Sequence, residues 1–136
     1  MKIAILFTLL AAVVVLSAAA AMPDPPDDKV ERDGNATQVA KAWFASLMKG
    51  ETAVTASLSD IPFAFDKKLE VKTYSDLKQL YDQVVANKGK RDLKLTSVKI
   101  ESSSPEKVEV VLMIEDEGIV VVIKPGEAFR VVGFAD

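Results

Sequence analysis

Residues 93–134 read LKLTSVKIESSSPEKVEVVLMIEDEGIVVVIKPGEAFRVVGF, and this stretch decides the fold. Val108, Val110, Leu112 and Ile114 fall on one side of a period-two pattern, with Glu109, Val111 and Met113 on the other, so a strand is predicted here. Ile119 to Ile123 is an unbroken apolar run, as expected of a central strand. Leu93 and Leu95 alternate, and Val98 and Ile100 alternate one step out of phase. That slip predicts a bulge near Thr96-Ser97 that bends the strand. Ser102 to Glu106 and Glu115 to Gly118 read as turns, and Lys124-Pro125-Gly126-Glu127 as a type II turn, with Gly126 expected at positive φ. Ala128 to Phe134 is the last strand. Connections this short make the four strands an antiparallel meander.

Upstream the period changes to 3.6. Val39, Trp43, Phe44, Leu47 and Met48 recur at helical spacing. Asn35 is placed to cap that helix, with Gln38 three residues on and Gly50 as its stop. A short helix is predicted over Glu51 to Leu58, with Val54 and Leu58 inward. Ile61 to Asp66 follows as a strand that Pro62 should confine to an edge or a strand start. Lys67 to Lys72 reads as a polar connection. Leu77, Leu80, Tyr81 and Val84 then define a third helix, capped by Thr73 or Ser75 and ended by Asn87 and Gly89. Helices segregated on one face of a bent antiparallel sheet make an α+β domain.

The N-terminus has a different character. Lys2, the apolar run Ile3 to Leu16 and the small residues Ser17 to Ala21 match the three regions of a secretory signal peptide over residues 1–21. The alternative is an uncleaved membrane anchor, since Ile3 to Met22 is just long enough to span a bilayer. Either reading places the remainder outside the cytoplasm, periplasmic or secreted. Residues 22–34, with their prolines and carboxylates, are expected to form a disordered, extended linker. Residues 35–136 then form one domain.

Composition removes much chemistry. The chain of 136 residues has no cysteine and no histidine. Disulfides, thiolate nucleophiles, Ser-His triads and the common zinc sites are therefore excluded. A net charge of −3 argues against nucleic acid as a partner. No cofactor motif and no metal-ligand spacing occurs: the acids of residues 22–33 lack the calcium-loop pattern, and Glu115 to Glu117 reads as a solvated turn. Lys88, Lys90 and Arg91 form a small basic loop where an anionic group could bind, although surface charges of this kind are commonly only solubilising.

The order of elements, a helix, a short helix, a strand, a helix and four strands, resembles the nuclear transport factor 2-like superfamily with its ketosteroid-isomerase-like and SnoaL-like groups. The likeness covers Gln38 to Asp136 and is carried by Val39-Ala40-Lys41-Ala42-Trp43-Phe44, by Gly50 before the short helix, by Leu58-Ser59-Asp60-Ile61-Pro62-Phe63 and by Arg130-Val131-Val132-Gly133-Phe134. It implies a cystatin-like cone of three helices on a curved sheet. It also implies a place for a carboxylate base and a hydrogen-bond donor at the cone's mouth, for which Asp60 and Tyr81 are the candidates. Trp43, Phe63, Phe65 and Tyr81 are the candidate lining of a ligand pocket, although each is by default a core residue.

No acid lies within the apolar strands. The first reading is therefore an exported non-enzymatic domain that binds a small apolar ligand or acts as a dimeric accessory module. Val111, Met113, Val120 and Val122 make the second face of the sheet apolar, so a homodimer through that face is expected. The alternative is an isomerase or dehydratase with Asp60 as base and Tyr81 as donor. A cystatin-like protease inhibitor ranks last, because the Gln-x-Val-x-Gly loop and Pro-Trp hairpin of that family are missing.

Overall fold

A computed structural model of the chain describes residues 25–66, 68–91 and 93–135. The expected signal segment lies outside them. Among the described residues no helix is long and apolar enough to cross a membrane. Glu31–Asp136 forms one compact unit. The elements in chain order are α1 (Pro25–Met48), α2 (Thr52–Ser57), β1 (Ser59–Phe65), β2 (Leu69–Val71), α3 (Tyr74–Lys88), β3 (Leu95–Ser103), β4 (Val108–Ile114), β5 (Glu117–Lys124) and β6 (Arg130–Ala135).

The six strands make one sheet in the order β2-β1-β6-β5-β4-β3. The meander β3 to β6 is antiparallel throughout, and β1 joins it by running parallel to β6. Register shifts between Leu95 and Ser97 and between Ile100 and Ser102 put the expected bulge in β3, with a second one beyond it. Such bulges bend and twist a strand. The inner face carries Val108, Val110, Leu112, Val121, Ile123 and Val131, all buried against Trp43, Leu47, Phe63, Leu77 and Tyr81.

Several expectations need correction. Helix α1 begins at Pro25, so residues 25–34 are helical and not an extended linker, and Asn35 lies within the helix as an exposed residue. Proline is tolerated in a first turn, where the N–H has no partner. The early part of this helix in the compact unit is tied down from afar: Arg32 Nε donates to Ser103 Oγ at 3.0 Å, and that hydroxyl donates to Asp33. Helix α2 buries Thr52 and Thr55 and leaves Val54 47% exposed. Its polar face can go inward because Thr55 Oγ1 pairs with Ser46 Oγ at 2.7 Å. Pro62 is not on an edge strand, because β1 lies between β2 and β6. It sits where the β1–β6 register breaks, between Ser59 and Ala64, and there no ladder N–H is required of it. Gly126 is not among the residues at positive φ, so the Lys124–Glu127 turn is not type II. Strand β2 arises from residues read as a connection.

Helix α3 is built as its sequence directs. Thr73 Oγ1 accepts from Asp76 N at 3.1 Å, and Gly89, at φ 65°, ends the helix in a conformation that other residues rarely adopt.

Candidate functional site

The space between helices and sheet is where the cone would hold a ligand, and core side chains occupy its centre. Trp43 from α1, Tyr81 from α3 and Ser59 from β1 converge there, all fully buried. The Trp43 indole N–H donates to Tyr81 Oη at 3.0 Å, and Tyr81 Oη pairs with Ser59 Oγ at 2.7 Å. Ser59 Oγ also lies 2.8 Å from the Thr55 carbonyl, to which it donates. That bond uses the serine proton, so the tyrosine hydroxyl is the donor in the Ser59–Tyr81 pair. Three polar groups thus satisfy one another without water. The rings pack edge to face, with centroids 6.0 Å apart for Trp43–Tyr81 and 5.8 Å for Phe63–Tyr81. Burial is the main reason the Tyr81 phenol is pushed up to about 12, partly offset by its bonds to Ser59 and Trp43.

Asp60 points elsewhere. Successive strand residues face opposite ways, so Ser59 enters the core and Asp60 leaves it. Asp60 Oδ1 accepts from the Ile61 amide at 2.8 Å and from the Tyr74 hydroxyl at 2.9 Å. These two bonds, the amide first, hold its carboxyl below the usual carboxylate range, and the same contact raises Tyr74. Asp60 is thus a well-solvated carboxylate with its own partners, and it shares none with Tyr81.

Several concave regions are open among the described residues, and two of them bear on function. A recess of about 230 Å³ lies at the end of the cone, walled by Trp43, Phe65 and Phe134 from the core and by Leu93 and Ile119, with Arg91 at its edge. A groove of about 370 Å³ runs over the outer sheet face, on Ala64, Gly133 and Ala135, with Val120, Val122 and Glu109 beside them. Gly133 is needed there: a Cβ would come within 2.8 Å of the Ala64 carbonyl oxygen. Among the described residues no group of acids is placed to hold a metal ion.

No sequence-family profile matches the chain, and no curated protein does. Solved structures do. A candidate dehydratase of the nuclear transport factor 2-like family from Streptomyces avermitilis superposes with a TM-score of 0.57 at 15% identity, covering 81% of this chain and 95% of that one. A nuclear transport factor 2-like protein of unknown function from Pseudomonas putida KT2440 gives 0.58 at 10% identity, over 78% of this chain and 85% of the other. The fold is that of the nuclear transport factor 2-like superfamily. A candidate scytalone dehydratase from Novosphingobium aromaticivorans DSM 12444 matches at 0.55 and 8% identity, over 81% and 85%. Identities this low establish the fold and leave the activity open.

Set within the nuclear transport factor 2-like cone, the predicted site residues divide. Phe63 and Tyr81 belong to the closed interior, Trp43 and Phe65 reach from it to the recess, and Asp60 stands apart. Sequence reasoning missed Ser59 as the third member of the interior network. It also missed Pro62, Ala64 and Ala135 on the outer face, although the alternation of Phe63 and Phe65 with Pro62 and Ala64 carried that signal. Leu93 was assigned to a strand, and its place in the recess wall was not foreseen.

Proposed function

We propose that this chain is a non-catalytic nuclear transport factor 2-like domain that works outside the cytoplasm as a homodimeric interaction module, paired through the outer face of its sheet. The observation that carries this reading is the buried Trp43–Tyr81–Ser59 network at the centre of the cone, whose polar groups are committed to one another. An enzyme using Asp60 and Tyr81 requires both groups within reach of one substrate. Their separate hydrogen-bond partners, and a phenol proton already committed to Ser59, speak against it.

The outer face has the relief that self-pairing needs. Val111, Met113, Val120 and Val122 are half-buried and form a ridge that takes no part in the core. Beside it lies the groove floored by Ala64, Gly133 and Ala135. A two-fold interface uses the same patch twice, so a patch holding both a ridge and a groove can be complementary to itself. The rim carries both signs of charge, with Glu101 and Glu109 along the groove and the exposed Lys99 and Lys124 on the same face by strand alternation. An antiparallel pairing brings unlike charges together there.

Size-exclusion chromatography with light scattering is the test. Twice the chain mass is expected for the wild type, and the single chain mass for Val120→Glu with an unchanged far-UV spectrum. A wild-type monomer at high concentration, or a Val120→Glu dimer, would remove the proposal.

A further inference from the structure

We infer that the turns of α1 ahead of Gly34 form a latch with two states. In one it is docked on Ser103 as a continuation of the helix. In the other it is released, and the helix starts at Asn35. The inference is independent of the pairing proposed above. Ser103 pairs with Val108, whose side chain belongs to the core, so the latch closes on the helix side of the sheet and not on its outer face.

Two helix starts are written into one stretch of sequence. Asn35 followed by Gln38 is a capping pair for a helix that begins at Ala36. Yet α1 runs through both residues and begins at Pro25. That continuation is locally unfavourable. Gly34 and Asn35 are adjacent in the helix interior, where glycine is the poorest helix former after proline and asparagine is among the weaker ones. Packing does not explain their presence. A Cβ on Gly34 would meet nothing within 4 Å. Asn35 is exposed, and its side chain has no hydrogen-bond partner among the described residues. Ala36 and Ala40, by contrast, are fully buried. The part of α1 that is packed into the core therefore starts beside the alternative cap.

What holds the earlier turns comes from the far side of the chain. Arg32 Nε donates to Ser103 Oγ at 3.0 Å, and Ser103 Oγ donates to Asp33 Oδ1. One hydroxyl serves a cation and a carboxylate from consecutive residues, and both bonds have a charged partner, the stronger kind. Release breaks these two bonds and the helical bonds ahead of Gly34. It returns chain entropy and completes the Asn35 cap, in which the amide oxygen accepts from the Gln38 N–H. Opposing terms of similar size are the condition for a two-state element. The consequence is reach. Residues 25–33 span about 14 Å as helix and about 30 Å when extended. Release lets the domain stand off by roughly 15 Å more from whatever holds the chain ahead of Pro25.

The chain has no cysteine, so a single introduced one carries a nitroxide label without background. Glu31→Cys places the label on the latch and Lys41→Cys places it beyond, both at exposed helical positions. In the full chain the Glu31 label is expected to give two components by electron paramagnetic resonance, one slow (docked) and one fast (released). The Lys41 label is expected to give the slow one alone. Ser103→Ala is expected to raise the fast-to-slow ratio at Glu31 about tenfold. Gly34→Ala, whose methyl enters open space, is expected to lower it about fivefold. Neither change is expected to alter the Lys41 spectrum, which reports that the domain is still folded. A single slow component at Glu31 that survives Ser103→Ala would show a rigid helix and overturn the inference. A fast component that neither substitution changes would show simple fraying of the helix end and overturn it equally.

Discussion

Tyr81→Phe removes a single oxygen from the centre of the interior network. The substitution keeps the ring, its edge-to-face contacts with Trp43 and Phe63, and nearly all of the packed volume. What changes is hydrogen bonding. The Trp43 indole N–H, buried and 3.0 Å from Tyr81 Oη, loses its acceptor. A buried donor left unsatisfied costs about 1–3 kcal/mol. Ser59 Oγ loses a partner but keeps its bond to the Thr55 carbonyl, so its share is smaller, about 0.5–1 kcal/mol. Together the loss is about 1.5–4 kcal/mol, which for a domain of this size corresponds to roughly 7–18 °C in Tm. Urea unfolding followed by far-UV circular dichroism should show a lower midpoint with an unchanged slope. Ser59→Ala combined with Tyr81→Phe should cost less than the sum of the two single changes, by about 0.5–1.5 kcal/mol, because both remove the same bond. If Tyr81 instead faced an open, hydrated cavity, water would replace the lost hydroxyl as acceptor. A loss below about 0.5 kcal/mol, or a gain, would therefore refute the closed network.

The same burial predicts an alkaline behaviour. A phenol raised from 10.0 to about 12 holds its proton more tightly in the folded state, so the stability it confers is full below pH 10 and disappears as pH climbs from 10 towards 12. In Tyr74→Phe, where Tyr81 is the only tyrosine left, absorbance at 295 nm should stay flat through pH 10 and rise only near 12. Half-ionisation at pH 10 with a native spectrum would contradict the burial. Gly133→Ala places a methyl 2.8 Å from the Ala64 carbonyl oxygen, a backbone atom, so β1 and β6 must separate. A loss of about 1–3 kcal/mol is expected by urea unfolding, and a change within 0.5 kcal/mol would show that the strands are not packed this closely.

The meander could be read from the sequence because its patterning is nearly complete. Val108 to Ile114 alternates without a break, and each connection carries turn residues, so strand type, order and direction follow together. The phase slip at Thr96-Ser97 marked a bulge that the pairing of β3 with β4 contains. What could not be read depends on partners distant in the chain. Residues 25–34 are too polar to reveal a helix, and the Arg32–Ser103–Asp33 bonds that hold part of it join positions about 70 residues apart. Leu69–Val71 is a three-residue edge strand with one buried residue, too short to show a period, and exists because Phe63 to Phe65 lies beside it. Thr55 was passed over in favour of Val54 because a threonine is a natural inward residue only when Ser46 waits opposite. For the candidate site, Trp43, Phe63, Phe65 and Tyr81 each lie on the apolar stripe of their own element, and their rings meet in the core through Phe134 and one another. Whether they enclose a space or fill it is set by the register that brings Ser59 against Tyr81, and no local pattern encodes that register.

Exchange of the Trp43 indole proton tests the filled interior most directly. The chain has one tryptophan, so a proton–nitrogen correlation spectrum in fresh deuterium oxide contains one indole signal to follow. With the N–H buried and bonded to Tyr81, that signal should persist as long as the slowest backbone amides of β4 and β5, exchanging only through global unfolding. Its disappearance within minutes, while those amides remain protected, would mean that water reaches the centre of the cone and that the cavity is open after all.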